Sequence, residues 1–204
     1  AAITLCGLLA HLSMASHPLH DVLASIGIQA MTGFSLRFRL HKNLSPYEAF
    51  TRLEKLSTRH IQQGTDHLLV FDLLEDSTLP GKIIEEFSNS LELYRKLDQL
   101  QELSQSGEPT LQQINLFIER VPTPTNEEEI DVDETPGLFL LDWLSDGEQS
   151  FLGRMALFAM LNTDDSLILL DEPEVHFNDY WKREVVKLLD GMMNMFSNHL
   201  IITT

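Results

Sequence analysis

Hydrophobic and polar positions cut the chain into short elements of changing period. Residues 1–31 read as helical, with one helix over 1–15, a break at His17-Pro18 and a second helix over 19–26. Phe34, Leu36, Phe38 and Leu40 then alternate with Ser35, Arg37 and Arg39, the period of a half-buried strand. Ser45, Pro46 and Glu48 form a helix start, and the helix is expected to run to about residue 63. Residues 68–74 follow as a strand with an acidic end. A turn at Pro80-Gly81 leads into one long expected helix over 82–103, whose apolar positions Ile84, Phe87, Leu91, Tyr94, Leu97 and Leu100 recur at steps of three and four. Residues 104–109 read as loop. Two further strands, 114–121 and 137–143, flank a proline-containing acidic loop at 122–136, which a hairpin would leave exposed.

The last sixty residues have the densest pattern. Leu144-Ser145-Asp146-Gly147-Glu148-Gln149 precedes an expected helix over 149–161, with Phe151, Leu152, Met155, Leu157, Phe158 and Leu161 as its buried face. Ser145 suits an N-cap, and Glu148 three residues on completes a capping box. The same groups can accept a phosphate, because a helix N-terminus carries free N–H groups and the positive end of the helix dipole. The apolar run 167–170 suits a strand of a parallel sheet covered by helices. It is closed by Asp171-Glu172-Pro173, which places two carboxylates where such strands bind ligands, at their carboxyl ends. The first can hold Mg²⁺ and the second can orient and deprotonate a water. A second apolar run, 200–204, ends the chain.

These residues resemble a known family. LSDGEQ resembles the signature motif of ABC-type ATPases, in the form found in their SMC, RecF and OLD-like branch. Residues 167–172 resemble a Walker B strand with its catalytic glutamate, and Pro173 to Asn178 stand where that family has its D-loop. Residues 200–204 resemble the strand before the family's switch histidine. The resemblance implies an α/β P-loop NTPase fold, with a mainly parallel core, helices on both faces and a mostly helical lobe. The order of elements along the chain divides it into a mostly helical lobe with a small sheet over 1–109 and a signature and Walker B part over 110–204. The resemblance implies ATP and Mg²⁺ as cofactors, with Ser145, Gly147, Glu148, Gln149 and Asn178 on the nucleotide, Asp171 on the metal and Glu172 as the catalytic base. It also implies two heads facing each other, with each ATP held between the P-loop of one and the signature of the other.

The sequence departs from that pattern in several places. Asp146 replaces the first signature glycine, and Asn178 stands where transporters carry an aspartate. No G-x-x-x-x-G-K-[ST] occurs, since Gly81-Lys82 is followed by Ile83 and Asp76 stands at the first glycine position. The expectation is therefore a piece of a longer ATPase whose P-loop lies upstream.

Composition narrows the setting. The 204 residues carry 31 acidic against 14 basic side chains, a formal net charge of −17. An acidic body repels a nucleic-acid backbone, so nucleic acid is expected to be reached through a complex. Arg37, Arg39 and Lys42 form the one basic cluster, read either as an exposed strand face or as a small contact patch for phosphate or a partner. The single cysteine, Cys6, excludes an internal disulfide and suits a reducing cytosol, and no signal peptide is evident. The apolar run 1–10 is too short to span a bilayer. His11, His17 and His20 lack acidic or cysteine company at ligand spacing. The roles that remain are an ATPase controlling a nuclease effector in anti-phage defence, as in Septu- or retron-associated systems, then a RecF- or SMC-like repair ATPase, and third a nucleotide-gated scaffold.

Overall fold

The computed structural model describes residues 1–13, 19–40, 47–105, 108–120, 137–161, 167–171 and 199–203. Helix α1 (Ala2–Leu12) is apolar on every side, and it is buried on every side as well, from Ala2 to Ala10 with only Ile3 partly open. It lies against the later helices α4 (Leu79–Glu86), α5 (Ser90–Glu102) and α6 (Asp146–Met160). Helix α2 (Leu19–Ser25) ends at Gly27, whose φ of 72° lies in the left-handed region that a side chain disfavours. That turn feeds directly into strand β1 (Ile28–Arg39), so the expected helical character of 28–31 is replaced by strand.

Five strands form one antiparallel sheet, in the order β2-β3-β1-β6-β7. They are β2 (Arg59–Gln63), β3 (Asp66–Asp72), β1, β6 (Leu111–Arg120) and β7 (Gly137–Leu140). β1 pairs with β3 from Gly33↔Asp72 to Arg39↔Asp66, and with β6 through a register broken by three irregularities. The division expected near residue 110 has β1 on one side and β6 on the other, and these are hydrogen-bonded neighbours. Two-residue strands β4 (Ser104–Gln105) and β5 (Glu108–Pro109) pair within the expected loop. The expected hairpin of 114–121 with 137–143 is present as β6 and β7, followed by a 3₁₀ turn at Leu141–Trp143. The acidic loop between them lies outside the described residues.

Phe34, Leu36 and Phe38 are buried on one face of β1, where Phe34 stacks on Phe71 of β3 at 4.3 Å. Helix α3 (Glu48–Leu56) covers this face with Phe50, edge-on to Phe38 at 5.1 Å. α3 stops at Leu56, short of the expected residue 63, because the backbone turns extended at Ser57 and residues 59–63 pair with β3. β2 is exposed along its whole length and has no apolar alternation to announce it.

The expected single helix over 82–103 is two. Ser88 takes φ 68°, and the Asn89 side chain caps α5 by accepting from the Glu92 N–H at 2.8 Å. Pro80, expected in a turn, sits in the first turn of α4, where its missing N–H costs nothing. Two members of the basic cluster share one acid: Arg39 Nε donates to Asp66 at 2.9 Å, and Arg37 reaches the same carboxylate at 3.5 Å, while Lys42 lies outside the described residues. The two guanidinium groups hold the Asp66 carboxyl below its usual range.

The parallel pairing expected of an α/β core is present where the motifs are. β8 (Leu167–Asp171) runs parallel to β9 (His199–Thr203), in register from Leu167↔His199 to Asp171↔Thr203. No helix among the described residues is long and apolar enough to cross a membrane.

Candidate functional site

α6 begins where the sequence placed its cap. Ser145 has extended backbone angles, its Oγ accepts from the Glu148 N–H at 3.3 Å, and Glu148 Oε2 accepts from the Ser145 N–H at 2.8 Å and from its hydroxyl at 2.9 Å. The capping box is therefore closed on both sides. The helix starts at Asp146, three residues before the expected start at 149. Ser145 and Asp146 are exposed, and Gly147, Glu148 and Gln149 are half-buried. Ser145 also takes the N–H of Glu148 on its hydroxyl and that of Gln149 on its carbonyl, so the amides of Asp146 and Gly147 are the ones that precede the first helical bond.

Two neighbours hold this end in place. The Gln149 side chain donates to the backbone carbonyls of Asp142 at 3.2 Å and Leu144 at 2.8 Å, lashing the 3₁₀ turn to the helix. Arg120, the last residue of β6, donates to Glu148 Oε1 at 2.5 Å in a pair largely withdrawn from solvent. Further along, Phe151, Leu152, Met155 and Phe158 are buried, as the apolar pattern requires, while Leu157 and Leu161 are only partly so. Ala156, Ala159 and Met160 are buried too, which widens the buried face.

The structure thus gathers Ser145, Gly147, Glu148 and Gln149 at one helix end. Asp171 ends β8, level with Thr203 of β9. A carboxylate is a donor type that Mg²⁺ takes, and the carboxyl end of a parallel strand is where such sheets bind ligands. Glu172 and Asn178 lie outside the described residues. Among the described residues no three His, Cys, Asp or Glu side chains are grouped to hold a metal. Arg120 went unmarked in the sequence, where it is one cation at a strand end, and only the fold brings it 28 residues along the chain to Glu148.

Capped helix and acid-ended parallel strand, on an α/β scaffold, are the equipment of the P-loop ATPase class. A family model described as "AAA domain, putative AbiEii toxin, Type IV TA system" matches residues 41–204, and the chain belongs to that family. It is a P-loop ATPase family, and domains of this kind bind and hydrolyse ATP with Mg²⁺. No curated protein and no solved structure matches the chain.

Proposed function

We propose that this protein is an ATPase head of the ABC type, in the SMC, RecF and OLD-like branch, that closes on a second head around ATP and thereby controls a nucleic-acid-directed effector in anti-phage defence. The observation that carries the reading is Ser145: it stands exposed at the N-terminus of α6, at the serine of LSDGEQ, with the first-turn amides beside it. A hydroxyl and a ring of N–H groups at the positive end of a helix dipole suit the terminal phosphate of a nucleotide held by another head. Family membership supports the ATPase part, and the toxin named in the family description supports an effector under conditional control.

In this reading Ser145 and the Gly147 N–H contact the γ-phosphate in trans. Asp171 holds Mg²⁺, which when bound neutralises phosphate charge. Glu172 orients and deprotonates the attacking water. Catalysis is positioning and charge compensation around a dispersed negative charge. ATP joins two heads, and its hydrolysis lets them part. The effector is a nuclease, and nucleic acid is reached through the complex, because a chain of net charge −17 offers a poor groove for phosphates.

The test is head association in the full-length protein, followed by light scattering with and without ATP. Glu172→Gln should retain ATP binding and accumulate the closed dimer, and Ser145→Arg should block closure while leaving nucleotide binding to the monomer. Normal turnover by the first variant, or normal closure by the second, would overturn the assignment. A nuclease that co-purifies supports the defence role, and ATP-driven closure without one favours a repair ATPase of RecF or SMC type.

A further inference from the structure

The ion pair between Arg120 and Glu148 sits where a second anion is expected to arrive. Two acids stand in the first turn of α6: Asp146 is exposed and screened by solvent, whereas Glu148 is half-buried and its carboxylate already accepts from the N–H and the hydroxyl of Ser145. Such an acid stabilises a helix start. It also competes with any anion that comes to the same N–H groups, and two negative charges at that distance repel strongly where solvent is scarce. The Glu148 side chain is only 14% exposed and that of Arg120 23%, so water screens little of this. Arg120 binds the oxygen of Glu148 that Ser145 leaves unused, and brings one full positive charge to the back of the carboxylate.

We propose that Arg120 is a positioning residue for the Ser145 site: by neutralising Glu148 from the sheet side, it lets the capping acid and a nucleotide phosphate share one helix N-terminus. The inference rests on the trans contact of Ser145 with ATP and adds the condition under which that contact forms. Charge supplies the driving force, and the box supplies the geometry. The Ser145 hydroxyl can turn its proton from Glu148 to a phosphate oxygen, because Arg120 continues to hold the carboxylate. Without Arg120, an uncompensated acid faces the incoming phosphate.

The sign of this effect separates it from a packing role. Arg120→Gln in the full-length protein should raise the ATP concentration for half-maximal head association by roughly tenfold, the loss expected for one partly desolvated charge pair. Arg120→Lys should recover most of it. The decisive variant is Arg120→Gln with Glu148→Gln, because glutamine at that position still closes a capping box but carries no charge. Measured against Glu148→Gln alone, the added effect of Arg120→Gln should shrink to within about twofold. An Arg120→Gln effect as large in the Glu148→Gln background as in the parent would assign Arg120 to packing and overturn the proposal. So would an Arg120→Gln protein that associates like the parent while Ser145→Arg blocks association. If Ser145→Arg is also silent in the same assay, it is the trans contact itself that fails. A melting temperature for each variant excludes loss of fold as the cause.

Discussion

Gly7 of α1 lies directly under Ala156 of α6: a Cβ added to Gly7 would stand 2.3 Å from the Ala156 carbonyl oxygen and 2.6 Å from its Cα. One turn away, Gly153 of α6 faces Thr4 of α1 in ordinary contact, at 3.7 Å from where a Cβ would be. Small residues on both helices thus let the backbones approach closely, and α6 takes its position from α1.

Gly7→Val should therefore force the two helices apart. The expected cost is about 1–3 kcal/mol, the range for overpacking a filled interior. Equilibrium denaturation of the full-length protein measures it. Gly153→Ala, with ordinary contact distances, should cost less than about 1 kcal/mol, the gain in helix propensity offsetting small adjustments. Equal effects at both positions would contradict the close approach at Gly7.

Ser145 has a structural task and a proposed chemical one, and two substitutions divide them. Ser145→Ala removes the cap and should lower stability by about 0.5–2 kcal/mol. Ser145→Asp can still cap the helix, but it sets a second carboxylate against Glu148 Oε2, which the Ser145 hydroxyl approaches at 2.9 Å, so its stability should be no lower than that of Ser145→Ala while a negative charge stands where a phosphate would come. That variant should fail to associate in ATP. Association at parental ATP concentrations would mean that α6 does not meet the nucleotide.

Cys6 is fully buried in α1, and burial raises its thiol far above the usual range. It should resist alkylation in the native protein and react at once in denaturant. Mass spectrometry of iodoacetamide-treated protein reads both states. Rapid native labelling would mean that α1 is open to solvent.

His60 and His67 meet across β2 and β3, with 3.0 Å between His60 Nε2 and His67 Nδ1 and rings stacked at 5.2 Å, while Glu54 lies 2.9 Å from His60 Nδ1. Desolvation and the His60 charge lower the His67 pKa from its ordinary 6.5, against the opposing pull of Glu54 and Asp66. The sign follows from proton counting. Below pH 6.5 the unfolded chain takes up a proton that the folded chain still refuses, so acid favours unfolding. The melting temperature should fall between pH about 7.5 and about 5.5 more steeply in the parent than in His67→Gln. Parallel curves would remove His67 as a contributor.

The parts of this fold legible in the sequence are those fixed by neighbours in the chain. Ser145 and Glu148 are three residues apart, so the capping box could be read directly. The run 167–170 needed only its own apolar content, and β8 with its parallel partner β9 followed. What stayed hidden depends on partners distant in sequence or on a single backbone angle. The spacing of Ile84, Phe87, Leu91 and Tyr94 continues across the break at Ser88, because two helices packed on one core keep a common apolar phase. The local sign was present in Asn89 and Glu92, a cap and its third residue. β2 is polar apart from the exposed Ile61, and it exists only because β3 offers it an edge. Arg37 and Arg39 read as a basic patch until the register set Asp66 beside them. Arg120 and Glu148 are joined by the placement of β6 against the start of α6, which no local pattern encodes.

The family match begins at residue 41, just past β1. Yet β1 is the middle strand of the five, and α1 is the surface on which α6 rests. A protein trimmed to residues 41–204 would leave β3 and β6 with raw, facing edges and one side of α6 bare to water, a template for aggregation. The stretch that carries the family's recognisable pattern and the stretch that can fold are therefore two different lengths of the same polypeptide, and the first forty residues belong to the second.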